Sequence, residues 1–217
     1  MRQADASQSR AIRLSGEARR EQILDAAKEL VGESGMHAVS IESVARRAGI
    51  TRPIVYSHFG DLPGLLEQLV DREANRALAQ LAGVVPARLD PSNARQALLA
   101  GLRAYLDVAR DDPLTWRLVL MPPEGAPGLL RERIEQGRAA VIAELAESIG
   151  PGLGRAGRSP DPELLAITLS TVADESVRLL LTDPERFPPE RIMTLAEWLL
   201  EPLDEPPERA AELDPGA

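Results

Sequence analysis

The chain has no cysteine. That removes a disulfide framework, thiolate metal sites and cysteine nucleophiles, and it accords with a reducing compartment. Aromatic residues are scarce, at 3 %, so Leu, Val, Ile and Ala must do the packing. Lys28 is the only lysine, and the other basic residues are all Arg. His37 and His58 are the only histidines. Neither has a second nearby His or a clustered carboxylate, so no metal site is expected. No stretch of about 18 apolar residues is present to span a membrane, and the first residues lack the apolar run of a secretory signal. A soluble, cytoplasmic protein without a membrane partner is expected. There is no G-x-S-x-G elbow, no P-loop and no G-x-G-x-x-G. His58 has no β framework around it to build a Ser-His-Asp hydrolase. The chain reads as a non-enzyme with no cofactor.

What is present is a globular composition, 44 % hydrophobic over 217 residues. The net charge of −9 divides unevenly. Residues 1–60 hold nine basic against seven acidic residues, and 61–217 hold sixteen against twenty-seven. Only the N-terminal part suits phosphates.

Apolar spacing is helical throughout, with no convincing alternation to mark a strand. Ile23, Leu24, Ala27, Leu30 and Val31 form one buried stripe over 17–34, and Gly35 stops that helix. Ser40 caps a short helix through Ala48 that Gly49 ends. Thr51 caps the next, with Pro53 in its first turn, to about Phe59. Further helices are expected at 61–82, 92–110, 113–121, 127–148, 162–182 and 189–202. Asp-Pro recurs at 90–91, 112–113, 161–162 and 183–184, where Asp can cap and Pro can take the first helical position. Residues 1–14 and the acidic, Pro-rich tail 204–217 read as disordered, and 150–160 as a mobile loop.

The informative stretch is SIESVARRAGITRPIVYSHF, residues 40–59. Two short helices flank Gly49-Ile50-Thr51, a turn that sets them across each other. Ile41, Val44 and Ala45 can pack inward, and Ala45 and Ala48 are small where helices approach. The second helix presents Arg52, Pro53, Tyr56, Ser57 and His58 near its exposed side, anchored by Ile54, Val55 and Phe59. Arg offers a bidentate fork to guanine; Tyr, Ser and His reach phosphates or base edges. Arg46 and Arg47 lie on a face that is more often solvated than bound.

Ile23-Leu24-x-Ala26-Ala27, Gly35, Val44-Ala45-x-x-Ala48-Gly49-Ile50-Thr51, Tyr56-x-His58-Phe59 and Leu65-Leu66 together resemble the TetR family of regulators over about residues 17–66. The resemblance implies a homodimer placing one recognition helix per subunit in successive major grooves of a double-stranded operator. It puts Ser40, Thr51, Arg52, Pro53, Tyr56 and His58 at or near DNA. It also implies a cavity in the larger part, where a small-molecule effector swings the two heads apart. One position departs from the family pattern: a Lys usually lies three residues after the Phe, and Leu62 stands there.

In the larger part Tyr105, Trp116, Leu118, Leu120 and Met121 are either cavity lining or ordinary core. Asp174, Glu175 and Arg178 interrupt an otherwise apolar helix, facing solvent, a dimer seam or a ligand. Ile192, Leu195, Ala196, Leu199 and Leu203 form a stripe for packing against other helices.

The sequence therefore reads as all-α. A three-helix helix-turn-helix head (1–60, motif 40–59) precedes a helical ligand-binding and dimerisation body (61–203). The expected function is a DNA-binding transcriptional regulator, a repressor released by an effector. The candidate ligand residues are Tyr105, Trp116, Leu120, Met121, Asp174 and Arg178. Two rivals remain: an architectural DNA binder without sequence preference, and a helical small-molecule carrier whose head has lost DNA binding.

Overall fold

The computed structural model describes residues 15–85, 89–90, 93–122, 128–149 and 161–201, with nothing said of the side chains at 129 and 130. Among them are nine α-helices and no strand. They fall in two compact units, 1–66 and 67–217. The expectations for 1–14, 150–160 and 204–217, and for Leu203, lie outside the described residues.

In the first unit α1 (Gly16–Ser34) starts where the Ser15 hydroxyl accepts the Ala18 N–H at 3.1 Å. It ends at Gly35, whose φ of 81° suits a residue without a side chain. Ile23, Leu24, Ala26 and Ala27 are buried, while Leu30 and Val31 at its end are half-buried. A 3₁₀ turn (Met36–Ala38) leads to α2 (Ile41–Arg47), which Ser40 and Ser43 cap reciprocally. Ile41, Val44, Ala45 and Ala48 are buried. The turn into α3 (Arg52–Phe59) closes with Ile50 N–H donating to Ala45 O at 2.9 Å. Thr51 holds the N-cap position in extended backbone, but its side chain makes no cap hydrogen bond. The expected Thr cap is thus positional only.

The chain then turns sharply into α4 (Leu62–Leu81). Gly64 is required there, because a methyl group at that position would collide with the Phe59 carbonyl oxygen. The Asp61 carboxylate accepts the Gly64 N–H at 2.8 Å.

The second unit holds the rest of α4 with α5 (Ala94–Asp111), α6 (Pro113–Leu120), α7 (Gly128–Ile149), α8 (Pro162–Thr182) and α9 (Pro189–Leu200). Its main core joins Tyr105, Leu106 and Ala109 of α5 to Trp116 and Leu120 of α6, Val177, Leu180 and Leu181 of α8, and Ile192 and Met193 of α9. Each large apolar side chain fully buried here is worth about 1.5–3 kcal/mol. A second cluster gathers Leu89, Leu145, Ile149 and Ala166.

The Asp-Pro pairs behave in two ways. Asp161 caps α8 by accepting the Leu164 N–H at 3.0 Å, and Asp112-Pro113 opens α6. α5 begins at Ala94 with Asn93 at its N-cap, and Pro91 of the Asp90-Pro91 pair lies outside the described residues. Asp183 instead closes α8 and starts a turn, its carboxylate accepting the Arg186 N–H at 3.1 Å. An Asp side chain reaches the N–H of a turn as readily as that of a helix, so the dipeptide alone does not choose.

Candidate functional site

The first unit displays one polar surface. Val55 and Phe59 bury the inner side of α3, which leaves Arg52, Pro53, Tyr56 and Ser57 exposed; Tyr56 keeps 50 % of its surface. Thr51 is exposed at the head of the helix, His58 is half-buried at its end, and Ser40 is exposed at the start of α2. Ser57 donates its hydroxyl to Ile54 O at 2.8 Å, which leaves its oxygen to accept. Ser40 spends its hydroxyl on Ser43 at 3.0 Å.

Two side chains of α1 hold this surface in place, and sequence reasoning did not assign them that role. Gln22 Nε2 donates to Ala48 O at 2.9 Å, satisfying a carbonyl at the end of α2. Arg20 donates to His58 O at 3.2 Å and stacks over Phe59, 5.0 Å from the ring centre. Both fill helix C-termini, where carbonyls lack intrahelical partners and positive charge is favoured. Arg47 points to α1, bonding Glu29 at 3.1 Å and Glu33 at 2.9 Å. That hydrogen bond holds the Glu33 carboxyl below its ordinary pKa. Arg46 is exposed.

The second unit holds two apolar lobes, partly open to solvent, of about 220 and 60 Å³. Both are bounded by Leu81, Tyr105, Val141, Ser170 and Asp174. The larger continues between Val84, Leu98, Leu102, Leu145 and Leu169; the smaller reaches Trp116, Leu120, Arg133 and Arg138. Of the six candidate ligand residues, Tyr105, Trp116, Leu120 and Asp174 line these lobes. Met121 and Arg178 do not: Met121 Sδ takes the Thr182 hydroxyl at 3.7 Å, and Arg178 reaches Leu120 O and Glu175 at 3.2 Å.

The polar centre is Asp174, only 7 % exposed. It accepts the Tyr105 hydroxyl at 2.9 Å and is paired with the Arg138 guanidinium. Burial raises the Asp174 pKa above the ordinary carboxylate value, with Arg138 and Tyr105 pulling the other way. Burial, and then the Asp174 charge, push the Tyr105 phenol up, so it stays protonated and donates. The Tyr105 ring meets Trp116 edge-on at 4.8 Å, and Trp116 Nε1 donates to Gln80 at 2.8 Å. Arg138 carried no signal in the sequence, since its partner lies thirty-six residues away on another helix.

A third feature is apolar and exposed. Leu164, Ile167 and Val172 of α8, and Leu195, Trp198 and Leu199 of α9, all stand open, Trp198 at 67 % and Leu195 at 57 %. Of the α9 stripe, Ile192 is buried and Ala196 half-buried; Leu199 is half-open but borders the larger lobe, and Leu195 stands exposed. No described helix is long and apolar enough to cross a membrane, and no three His, Asp or Glu gather as a metal site among the described residues.

Comparison with known proteins gives a consistent picture. Residues 23–69 match the family described as "Bacterial regulatory proteins, tetR family". Residues of the chain are 31 % identical over 151 positions to the HTH-type transcriptional regulator BetI of Escherichia coli, covering 62 % of this chain and 76 % of BetI. They are 32 % identical over 110 positions to the HTH-type transcriptional activator FasR of Mycolicibacterium smegmatis, covering 51 % of this chain but only 49 % of FasR. Among solved structures, a complex of SmeT with triclosan superposes with a TM-score of 0.67 at 23 % identity, covering 85 % of this chain and 91 % of SmeT. SmeT is described as the repressor of the Stenotrophomonas maltophilia multidrug efflux pump SmeDEF.

Proposed function

This chain belongs to the TetR family of bacterial regulatory proteins, and on that premise we propose that it is a dimeric, sequence-specific repressor released from its operator by a small molecule. The carrying observation is α3. Its inner face is buried by Val55 and Phe59, and its outer face offers Arg52, Pro53, Tyr56 and Ser57 together. A helix so anchored fits the major groove, with Arg52 aimed at base edges and the hydroxyls at phosphates. Thr51, His58 and Ser40 complete the candidate contact set.

The dimer is supported by the exposed large apolar side chains of α8 and of α9, since monomers seldom leave much apolar area uncovered. A seam of the family's kind would place two recognition helices about 34–36 Å apart, one turn of DNA, or somewhat more. The effector role is supported by the two lobes in the second unit, and the solved complex of SmeT holds a small molecule, triclosan. An effector that stabilises a body conformation with mismatched heads lowers operator affinity by its differential affinity for that state. Repression needs only occupancy of the operator. The relatives include a named activator and a named repressor, so reporter transcription must decide the sign.

A nuclease footprint of the full chain on DNA flanking its own coding region tests the reading. A discrete, two-fold symmetric protected site is expected. Uniform protection would favour an architectural binder, and no protection at any concentration a carrier whose head has lost DNA binding.

A further inference from the structure

We propose that the cavity of the second unit takes an uncharged, chiefly aliphatic molecule with one hydrogen-bonding group, received by Ser170 where the two lobes meet. This rests on the reading of that cavity as the effector site.

The walls of the larger lobe disfavour ions for a reason that can be traced residue by residue. In the larger lobe Asp174 is the only charged lining residue among the described residues, and each of its oxygens has a partner, Tyr105 and Arg138. In the smaller lobe the charged walls are Arg133, Arg138 and Asp174. Arg133 is paired with Asp71 at 2.8 Å, and Arg138 with Asp174. Each of these arginines is bonded to its carboxylate through one nitrogen, so the smaller lobe keeps guanidinium N–H groups and the larger lobe keeps none among the described residues. In the larger lobe an entering carboxylate or ammonium would lose its hydration against Val84, Leu98, Leu102, Leu145 and Leu169, with only the already bonded Asp174 as a charged neighbour among the described residues. A neutral molecule avoids that cost.

Ser170 supplies a polar anchor that borders both lobes. Its helix neighbours Thr168, Thr171 and Ser176 each donate to the carbonyl four residues back, at 2.7–2.8 Å. The Ser170 hydroxyl makes no hydrogen bond among the described residues, and it borders both lobes. It retains a donor and two acceptor sites at the junction. An alcohol, ketone or amide oxygen placed there would satisfy it, with the aliphatic part filling the larger lobe.

Three probes of one chain length separate the alternatives: octanol, octanoate and octylamine, titrated calorimetrically into the full chain below their aggregation limits. Octanol should bind at least about tenfold tighter than either ion. Ser170→Ala should lower octanol affinity severalfold, and Val141→Trp, which fills the junction, should abolish it. Asp174→Asn leaves Arg138 without its counter-charge and should turn the preference toward octanoate. Octanoate or octylamine binding the natural chain as tightly as octanol overturns the proposal while leaving the effector site standing. So does an octanol affinity indifferent to Ser170→Ala. No binding of any probe, or binding untouched by Val141→Trp, removes the effector site itself.

Discussion

Arg20 stands over the ring of Phe59 at 5.0 Å and donates to the carbonyl of His58, so α1 grips the C-terminal end of the helix that would enter DNA. A guanidinium used in this way is a positioning group, unlike the phosphate-seeking arm that an N-terminal arginine suggests. Removing it loosens α3 without removing a DNA contact. Arg20→Ala should cost about 1 kcal/mol of stability in the first unit. It should weaken operator binding while leaving the slope of log affinity against log salt unchanged. A slope shallower by about one unit would mean that Arg20 meets a phosphate after all.

Leu62 should mark a weak phosphate site. It opens α4, where free N–H groups and the helix dipole attract anions. Here the Asp61 carboxylate already occupies the Gly64 N–H, and Pro63 has no N–H to offer. Leu62→Lys should steepen the salt dependence by about 0.9 per subunit and tighten binding to random DNA. Salt titrations of both forms check this, and an unmoved slope would place position 62 away from the backbone.

The α8–α9 face should hold the dimer. Leu195 and Trp198 are exposed, so charged substitutions there need not disturb the core of the second unit. Leu195→Glu with Trp198→Glu should give a folded monomer by light scattering, with unchanged helical circular dichroism and lost operator affinity. A mass that stays dimeric would send the interface elsewhere.

How much of this the sequence carried depends on whether a signal was local. The helix-turn-helix was legible because Val44, Ala45, Ala48, Val55 and Phe59 are small or apolar at helical spacing, and burial follows that spacing directly. The exposed set on α3 followed by subtraction. The cavity was legible only in part: Tyr105, Trp116, Leu120 and Asp174 line it, but Met121 and Arg178 turn to other partners. Arg138 was invisible because its role is set by Asp174 on a different helix. Asp183 was misread because capping and turn formation use the same carboxylate geometry. Trp198 escaped notice because its exposure depends on which side of α9 faces α5 and α8, which its own spacing does not state.

Asp174 should leave a pH signature. Burial holds its carboxyl above the ordinary value despite Arg138. A carboxyl of raised folded pKa binds its proton more tightly in the folded chain. Its contribution to stability is therefore complete below about pH 4, the unfolded value, and is lost as pH rises through the folded value. Asp174→Asn cannot titrate. The stability of the natural chain relative to Asp174→Asn should fall as pH rises from about 4 toward neutral. Denaturant midpoints across that range decide it; a difference that grows with pH would mean that Arg138 outweighs burial.

The most direct test of the central claim, that α3 reads DNA sequence, is paired affinities for the footprinted site and a random duplex at one salt concentration. The natural chain should prefer its site by about a thousandfold or more. Arg52→Ala should lose about 1–3 kcal/mol on that site and distinctly less on random DNA. Equal affinity of the natural chain for both duplexes, or an equal loss on both with Arg52→Ala, would contradict a base-reading helix at 52–59.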